Sequence, residues 1–297
     1  MNVQNLDPVE LAKLDSKALM RLESEIAHRH MGHFPWMSVT WAFANLTCWL
    51  ALWPLTLFHL IPLWLTFLIA SANVALCYLP SHEAQHDIIA RPGDKLRWLN
   101  QLVGHLSTIP LVASYGVLKL THMEHHKHTN NPDLDPDYES TRARTAWASL
   151  VKTFADRQPG SNANQSYGAC LKRLGTPEAQ QAGLIAALYQ FAYLVVLITM
   201  AWTGHAIEAA MIWWLPRIVG QAYIRFFLSW APHYPCGEGR YQDTRGFRSH
   251  LGNILSSGMQ FHIVHHLHPR IPLIRNPAAY WELRPILQAR GCRIDQL

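Results

Sequence analysis

Four long stretches almost bare of charge constrain this chain most. Residues 36–58 and 60–80 contain no Asp, Glu, Lys or Arg. As helices rising ~1.5 Å per residue, each can cross a ~30 Å hydrocarbon core. A third stretch runs over 184–203, and a fourth, less clean, over 206–230, with Arg217 and Arg225 inside it. Only His59 to Pro62 separates the first pair, and Thr203 to His205 the second, so each pair reads as a tight hairpin. Two hairpins leave 1–35, 81–183 and 231–297 on one side of the membrane. Of the 25 Lys and Arg, 23 fall in those segments and none in the short turns. The positive-inside rule places that side in the cytoplasm. Trp36, Trp53, Trp64, Trp202 and Trp230 sit near the ends of the apolar stretches, where an aromatic belt belongs. The expected fold is an all-α, multi-pass integral membrane protein forming one domain over 1–297. Its four transmembrane helices make two hairpins beneath a cytoplasmic helical cap (81–183 and 231–297).

Composition narrows the function. Charged residues are 15% of the chain, against ~25% in an average soluble domain, and apolar residues 49%. That excludes a disordered tail or a charged coiled coil, and no feature asks for nucleic acid. The five Cys include no CxxC pair, so a disulfide framework or zinc ribbon is not expected. Asp7, Glu10, Asp15, Glu23 and Glu25 argue against a cleaved signal peptide. Residues 7–29 read as an amphipathic helix capped by Asp7, with Leu11, Leu14, Ala18, Leu22 and Ile26 on one face, lying on the protein or the membrane surface. Residues 99–120 read as a membrane-dipping or interfacial segment, not a span, and 156–169 as a surface loop.

Eighteen His is an unusual number, and three runs concentrate them. SHEAQHD holds His82 and His86. LTHMEHHKHTNNPDLDPD holds His122, His125 and His126, with His128 beyond. QFHIVHHLHP holds His262, His265 and His266. On a helix, positions i, i+3 and i+4 share a face, so each run aims imidazoles at one point. All three lie on the cytoplasmic side of the spans. Eight converging imidazoles would repel one another if protonated and would be costly to bury unpaired if neutral. Metal resolves both problems, and eight nitrogens suit two ions. All-nitrogen sites with room for a small molecule favour redox iron over a closed structural zinc. His28, His30, His33, His59, His205 and His250 read as ordinary histidines.

HEAQHD, HMEHHKHTN…DPD and HIVHHLHPRIP resemble the three histidine boxes of the membrane fatty acid desaturase superfamily. Its relatives include carotenoid hydroxylases and ketolases, alkane hydroxylases and fatty acid decarboxylases that form terminal alkenes. The resemblance spans about 36–290. It implies a non-haem diiron centre that activates O2 for attack on an unactivated C–H bond, with the eight box histidines as ligands. A further ligand follows the last span, where His233 stands in SWAPHYP. Asp87, Glu124 and Asp137 are candidates to orient ligating imidazoles, while His128 and His268 read as supporting the ligands from behind or as structural. The substrate implied is a long apolar chain, most readily a fatty acyl chain to be desaturated. Carotenoid hydroxylation or ketolation, and decarboxylation to a terminal alkene, stay open. With no fused haem, Cys-cluster or GxGxxG segment, the electrons must come from a separate ferredoxin, rubredoxin or cytochrome b5-type donor. Arg240, Arg245, Arg248, Arg270 and Arg275 could steer an acidic donor to the cap.

Two other readings compete. His82-Glu83-Ala84-Gln85-His86 is a literal HExxH, which in an intramembrane zinc protease would make Glu83 the general base. A metal or haem transporter would line its spans with ionisable groups, and these spans show no chain of carboxylates. Arg217, beside Pro216 in mid-stretch, implies a broken helix or a buried polar partner.

Overall fold

The computed structural model describes residues 8–156, 162–248 and 251–294. Among them every regular element is helical. Helix α1 is Ser16–His30, α2 Trp36–Leu57, α3 Leu63–Gln85, α4 Arg97–Ser107, α5 Tyr115–His128, α6 Ala146–Ala155, α7 Asn162–Leu174 and α8 Pro177–Trp202. A continuous rod, α9, runs over 206–233, followed by α10, His262–Leu267, and α11, Asn276–Ala289.

Helices α2 and α3 form the first hairpin, clasped by polar pairs. The Asn73 side chain donates to the Asn45 carbonyl at 2.6 Å, the Asn45 side chain donates to the Asn73 carbonyl at 3.1 Å, and the Thr56 and Thr66 hydroxyls meet at 2.8 Å. Between apolar helices such bonds replace the missing hydrophobic drive. Pro80 lies inside α3 and has no N–H for the Leu76 carbonyl four residues back. The Trp41 indole of α2 donates to that carbonyl at 3.3 Å.

By length and composition, α3 and α8 are apolar enough to cross a membrane. On α8, Leu184, Leu188, Phe191, Leu194, Ile198 and Trp202 all face outward. A patch of that size needs lipid or a partner. The other two apolar stretches are helical but differ in kind. Four Trp, with Asn45 and several Thr, dilute the hydropathy of α2. Rod α9 is not one α-helix: π segments Ala210–Trp214 and Arg225–Trp230 interrupt it. Pro216 follows the first and Pro232 the second. Each proline removes an N–H, and the wider turn ahead of it carries the rod past the defect without a break.

Segment 99–120 resolves into α4, a loop over 108–114, and the start of α5. Three successive loop carbonyls are served from other helices. The Trp213 indole donates to Pro110 at 2.8 Å, Arg217 Nε to Leu111 at 2.8 Å, and the Gln190 side chain to Val112 at 3.1 Å. Irregular backbone survives in an apolar layer only when protein satisfies it in this way. The buried polar partner of Arg217 is thus the Leu111 carbonyl, and the rod does not break there.

The amphipathic N-terminal helix is shorter than expected. Its cap is Asp15, which accepts the Ala18 N–H at 2.6 Å; Asp7 lies outside the described residues. Its buried face packs on α11, in a core of Leu19, Ile26, Tyr280, Leu283 and Leu287. Glu23, fully buried on that face, meets His268 at 3.1 Å, Arg240 and Arg290 at 3.2 Å each, and the Tyr241 hydroxyl at 3.0 Å. Burial would raise its carboxyl, but these partners hold it below the usual range. The expected loop at 156–169 is helical from Asn162 onward, as part of α7; residues 157–161 lie outside the described set, as does His250.

Candidate metal centre

The local fold brings the boxes together end to end. Helix α3 finishes with His82, and His86 caps it. The last two turns of α5 carry His122, His125 and His126, rod α9 ends on His233, and the short helix α10 carries His262, His265 and His266. All but His126 and His266 are buried outright, and those two are partly so.

The nine rings form one continuous cluster with two halves. Ligand atoms of His82, His86, His122 and His265 lie within 4.8 Å of one another, as do those of His125, His233 and His266. His126 Nε2 is 3.2 Å from His122 Nε2 and 3.1 Å from His265 Nε2, and His86 Nε2 is 2.9 Å from His122 Nε2. The His262 ring lies 5.0 Å from that of His233 and 4.7 Å from that of His266.

The donor set fits metal. Imidazole nitrogens bind a first-row ion at about 2.0–2.1 Å, so two bonds at right angles put the nitrogens about 3 Å apart. That is the spacing seen. His82 Nδ1, His233 Nε2, His265 Nδ1, His266 Nε2 and both nitrogens of His262 are buried with no protein partner. Burial, and then mutual repulsion, hold His122, His126, His262, His265 and His266 well below the normal imidazole range, hence neutral with lone pairs free. His125 differs. Burial alone would pull it down, but the Asp135 carboxylate, 2.9 Å from Nδ1, overrides this and raises it to about 9.

Backbone and carboxylate groups orient the rings from behind. Asp135 accepts the N–H groups of Asn130 and Asp137, at 2.8 Å each, while facing His125. His233 Nδ1 faces the Asp243 carbonyl at 3.2 Å, and the Asn130 side chain donates to that same carbonyl at 2.7 Å. One loop, 129–137, therefore fixes rings on two elements. Sequence reasoning missed Asp135 and proposed its neighbour Asp137, whose nearer oxygen is 3.9 Å from His125 and which accepts the Tyr167 hydroxyl at 2.7 Å. Asp87 is not a ring partner either: it pairs with Arg97 at 2.5 Å and Lys119 at 2.6 Å. Glu124 pairs with Lys127 at 2.6 Å and Arg173 at 3.4 Å. His128 stands half-exposed, 3.8 Å from Glu124, and His268 belongs to the Glu23 hub.

The placement of Glu83 weighs against the protease reading. It is fully buried, and its Oε1 accepts the Leu273 N–H at 2.6 Å. A general base must face the metal-bound water, and one oxygen of this carboxylate is held by the backbone before α11.

Beneath the cluster opens a cavity of about 710 Å³, lined by His82, His122, His125 and His262 at one end and by Leu111, Val117, Arg217 and Gln221 further in.

A family model for fatty acid desaturase matches residues 58–297. The chain belongs to the fatty acid desaturase family. Like the family's other members it is an oxidoreductase, and its substrate is lipid-like. A beta-carotene ketolase of Paracoccus sp. (strain PC1) is 28% identical over 254 residues, 79% of this chain and 88% of the ketolase. Short stretches match acyl desaturases more closely. An sn-1 oleoyl-lipid 12-desaturase of Synechocystis sp. is 37% identical over 71 residues, 23% of this chain and 20% of that enzyme. An sn-1 acyl-lipid omega-3 desaturase (ferredoxin) of Nostoc sp. (strain 36) is 40% identical over 53 residues, 18% of this chain and 15% of that enzyme. Desaturase-family membership and two long apolar helices make membrane association the setting of this chemistry.

Proposed function

We propose that this desaturase-family protein is a membrane-bound, O2-dependent diiron oxidoreductase that attacks a C–H bond of a long acyl chain. The observation that carries the reading is the bipartite imidazole cluster at the end of the 710 Å³ cavity. His82, His86, His122, His126 and His265 would hold one iron, and His125, His233, His262 and His266 the other. When bound, the iron pair supplies O2 activation and the oxidising power for C–H cleavage. The protein's own work is positional. Asp135 and the Asp243 carbonyl fix the His125 and His233 rings. Leu111, Val117, Leu118 and Leu228 give the chain an apolar wall and keep water from the target carbon.

The four apolar helices span the membrane as two hairpins of a single domain, with the cap cytoplasmic. The charge asymmetry of the sequence supports this, and a cysteine placed at 203–205 would then be labelled only from outside the cell. Electrons come from a separate donor of the ferredoxin, rubredoxin or cytochrome b5 type. The basic patch offered to it is smaller than the sequence suggested. Arg245 Nε donates to the Ala231 carbonyl and Arg275 is partly buried, leaving Arg248, Arg270 and the Glu23-paired Arg240 outward.

A carotenoid is the second reading, favoured by the near full-length similarity to the ketolase. The test is metal analysis of purified protein, with mass spectrometry of lipids and carotenoids from cells that also express a ferredoxin system. About two irons per chain and a new unsaturated or oxygenated acyl product are expected. One zinc per chain, or an unchanged lipid profile with an oxidised carotenoid, would overturn the acyl assignment.

A further inference from the structure

We propose that Arg217 binds the carboxylate of the substrate, so that the natural substrate class is the free long-chain fatty acid, anchored head-first in the depth of the cavity. This deepens the proposed function and rests on its acyl reading.

Arg217 lines the cavity from the middle of rod α9. Among the described residues it belongs to no ion pair, whereas Arg225, two turns on and lining the same cavity, is bound to Asp156 at 2.6 Å. Its Nε serves the Leu111 carbonyl, and its guanidinium sits over the Tyr193 ring, 5.2 Å from the centroid. A cation is not needed for the carbonyl. The carbonyls on either side, of Pro110 and Val112, are served by the neutral side chains of Trp213 and Gln190. A guanidinium in an apolar layer without a carboxylate is costly, and it is kept where it has a function. Its fork geometry matches a carboxylate. Gln221, one turn along the same helix face, lines the cavity beside it and adds an amide donor.

The register of the helices sets the reach. Rod α9 and helix α3 run in the same direction, since the C-terminal end of each delivers a histidine to the cluster. Gly220 packs directly on Val74: a Cβ there would fall 2.6 Å from Val74 Cγ1. Arg217 therefore lies about eleven residues below the level of His82, about 16 Å along the axis. An extended chain advances about 1.2 Å per bond, so the attacked carbon lies on the order of ten bonds from the carboxylate. A neutral carotenoid or an esterified lipid would have no use for this anchor.

The test is displacement of parinaric acid, read by fluorescence, from the purified protein in phosphatidylcholine nanodiscs. Wild-type protein should bind palmitate at least tenfold more tightly than methyl palmitate. Arg217→Gln should erase that preference, and Arg217→Lys should retain part of it. A thermal midpoint for each variant separates lost binding from lost fold. Equal affinity of the wild type for acid and ester would overturn the anchor, as would undiminished preference in a folded Arg217→Gln protein. Either result, with two irons bound and acyl products formed, leaves the proposed function standing. Selective palmitate binding by protein that takes up no iron would sustain the anchor and overturn that function.

Discussion

Replacing Asp135 by Asn should empty one half of the metal centre and spare the other. Asp135 is wholly buried and faces His125 Nδ1 at 2.9 Å while accepting the Asn130 N–H at 2.8 Å. An Asn side chain can keep only one of these bonds. If its oxygen accepts from His125, its amide hydrogens oppose the Asn130 N–H, and a buried donor without an acceptor costs about 1–3 kcal/mol. The imidazole also loses the carboxylate that makes it a strong base. Outer-sphere losses of this kind lower metal affinity about 10–100-fold, or about 1.4–2.8 kcal/mol. The pH dependence has a definite sign. With Asp135 present, His125 carries a proton below about pH 9, which the metal must displace. Wild-type iron uptake at this half should therefore strengthen about tenfold per pH unit up to about pH 9, and Asp135→Asn should flatten that slope. Iron measured by mass spectrometry across a chelator series should fall from near two per chain to near one. Asp135→Asn protein that holds both irons against chelator as firmly as the wild type would refute the argument, and so would loss of both together. Asp137→Asn is the control: at 3.9 Å from the same nitrogen it should cost far less.

Replacing His265 by Ala should strip iron from the other half and abolish turnover, since its Nε2 stands 3.1 Å from His126 Nε2; iron analysis checks it. Glu83→Gln should keep full iron and lose activity only in part, because an amide oxygen can still accept the Leu273 N–H; complete loss with zinc bound would restore the protease reading. Gly220→Leu should destabilise by about 1–3 kcal/mol or more in a thermal or denaturant assay, since its first carbon already collides with Val74. Glu23→Gln should cost roughly 3 kcal/mol and loosen α1 from the cap, because it leaves Arg290 and His268 buried beside a neutral group; hydrogen exchange in α1 reads this out.

The sequence revealed the helices where hydrophobic period and length act alone. Thr203 to His205 fell in the turn that joins α8 to the rod, with Gly204 in the left-handed region, as a reversal of that length requires. What the sequence hid depends on two elements at once. The π segments of the rod follow from Pro216 and Pro232, which a linear scan reads as breaks. The Trp41 indole that serves the Leu76 carbonyl is a partner no window of residues contains. Along the chain Glu23 is one of several acids in an amphipathic segment, and only the return of Arg240, His268 and Arg290 from the far end of the chain makes it a buried hub.

The site divides in the same way. Spacing alone aims His122, His125 and His126 at one side of α5, because i, i+3 and i+4 are neighbours on any helix. Spacing could not choose between Asp135 and Asp137. They lie on a loop, where the side chain that reaches His125 is set by Asn130, held in a left-handed conformation at φ 64° and bonded to the Gly237 and Asp243 carbonyls. The same limit explains Arg217. Read along the chain it is a charge in the wrong place. In three dimensions it stands beside a loop whose other carbonyls already have neutral donors, in a cavity where the second arginine already has its carboxylate. Among the described residues Arg217 is the cavity arginine without a carboxylate, and it faces the space where the proposed substrate would lie.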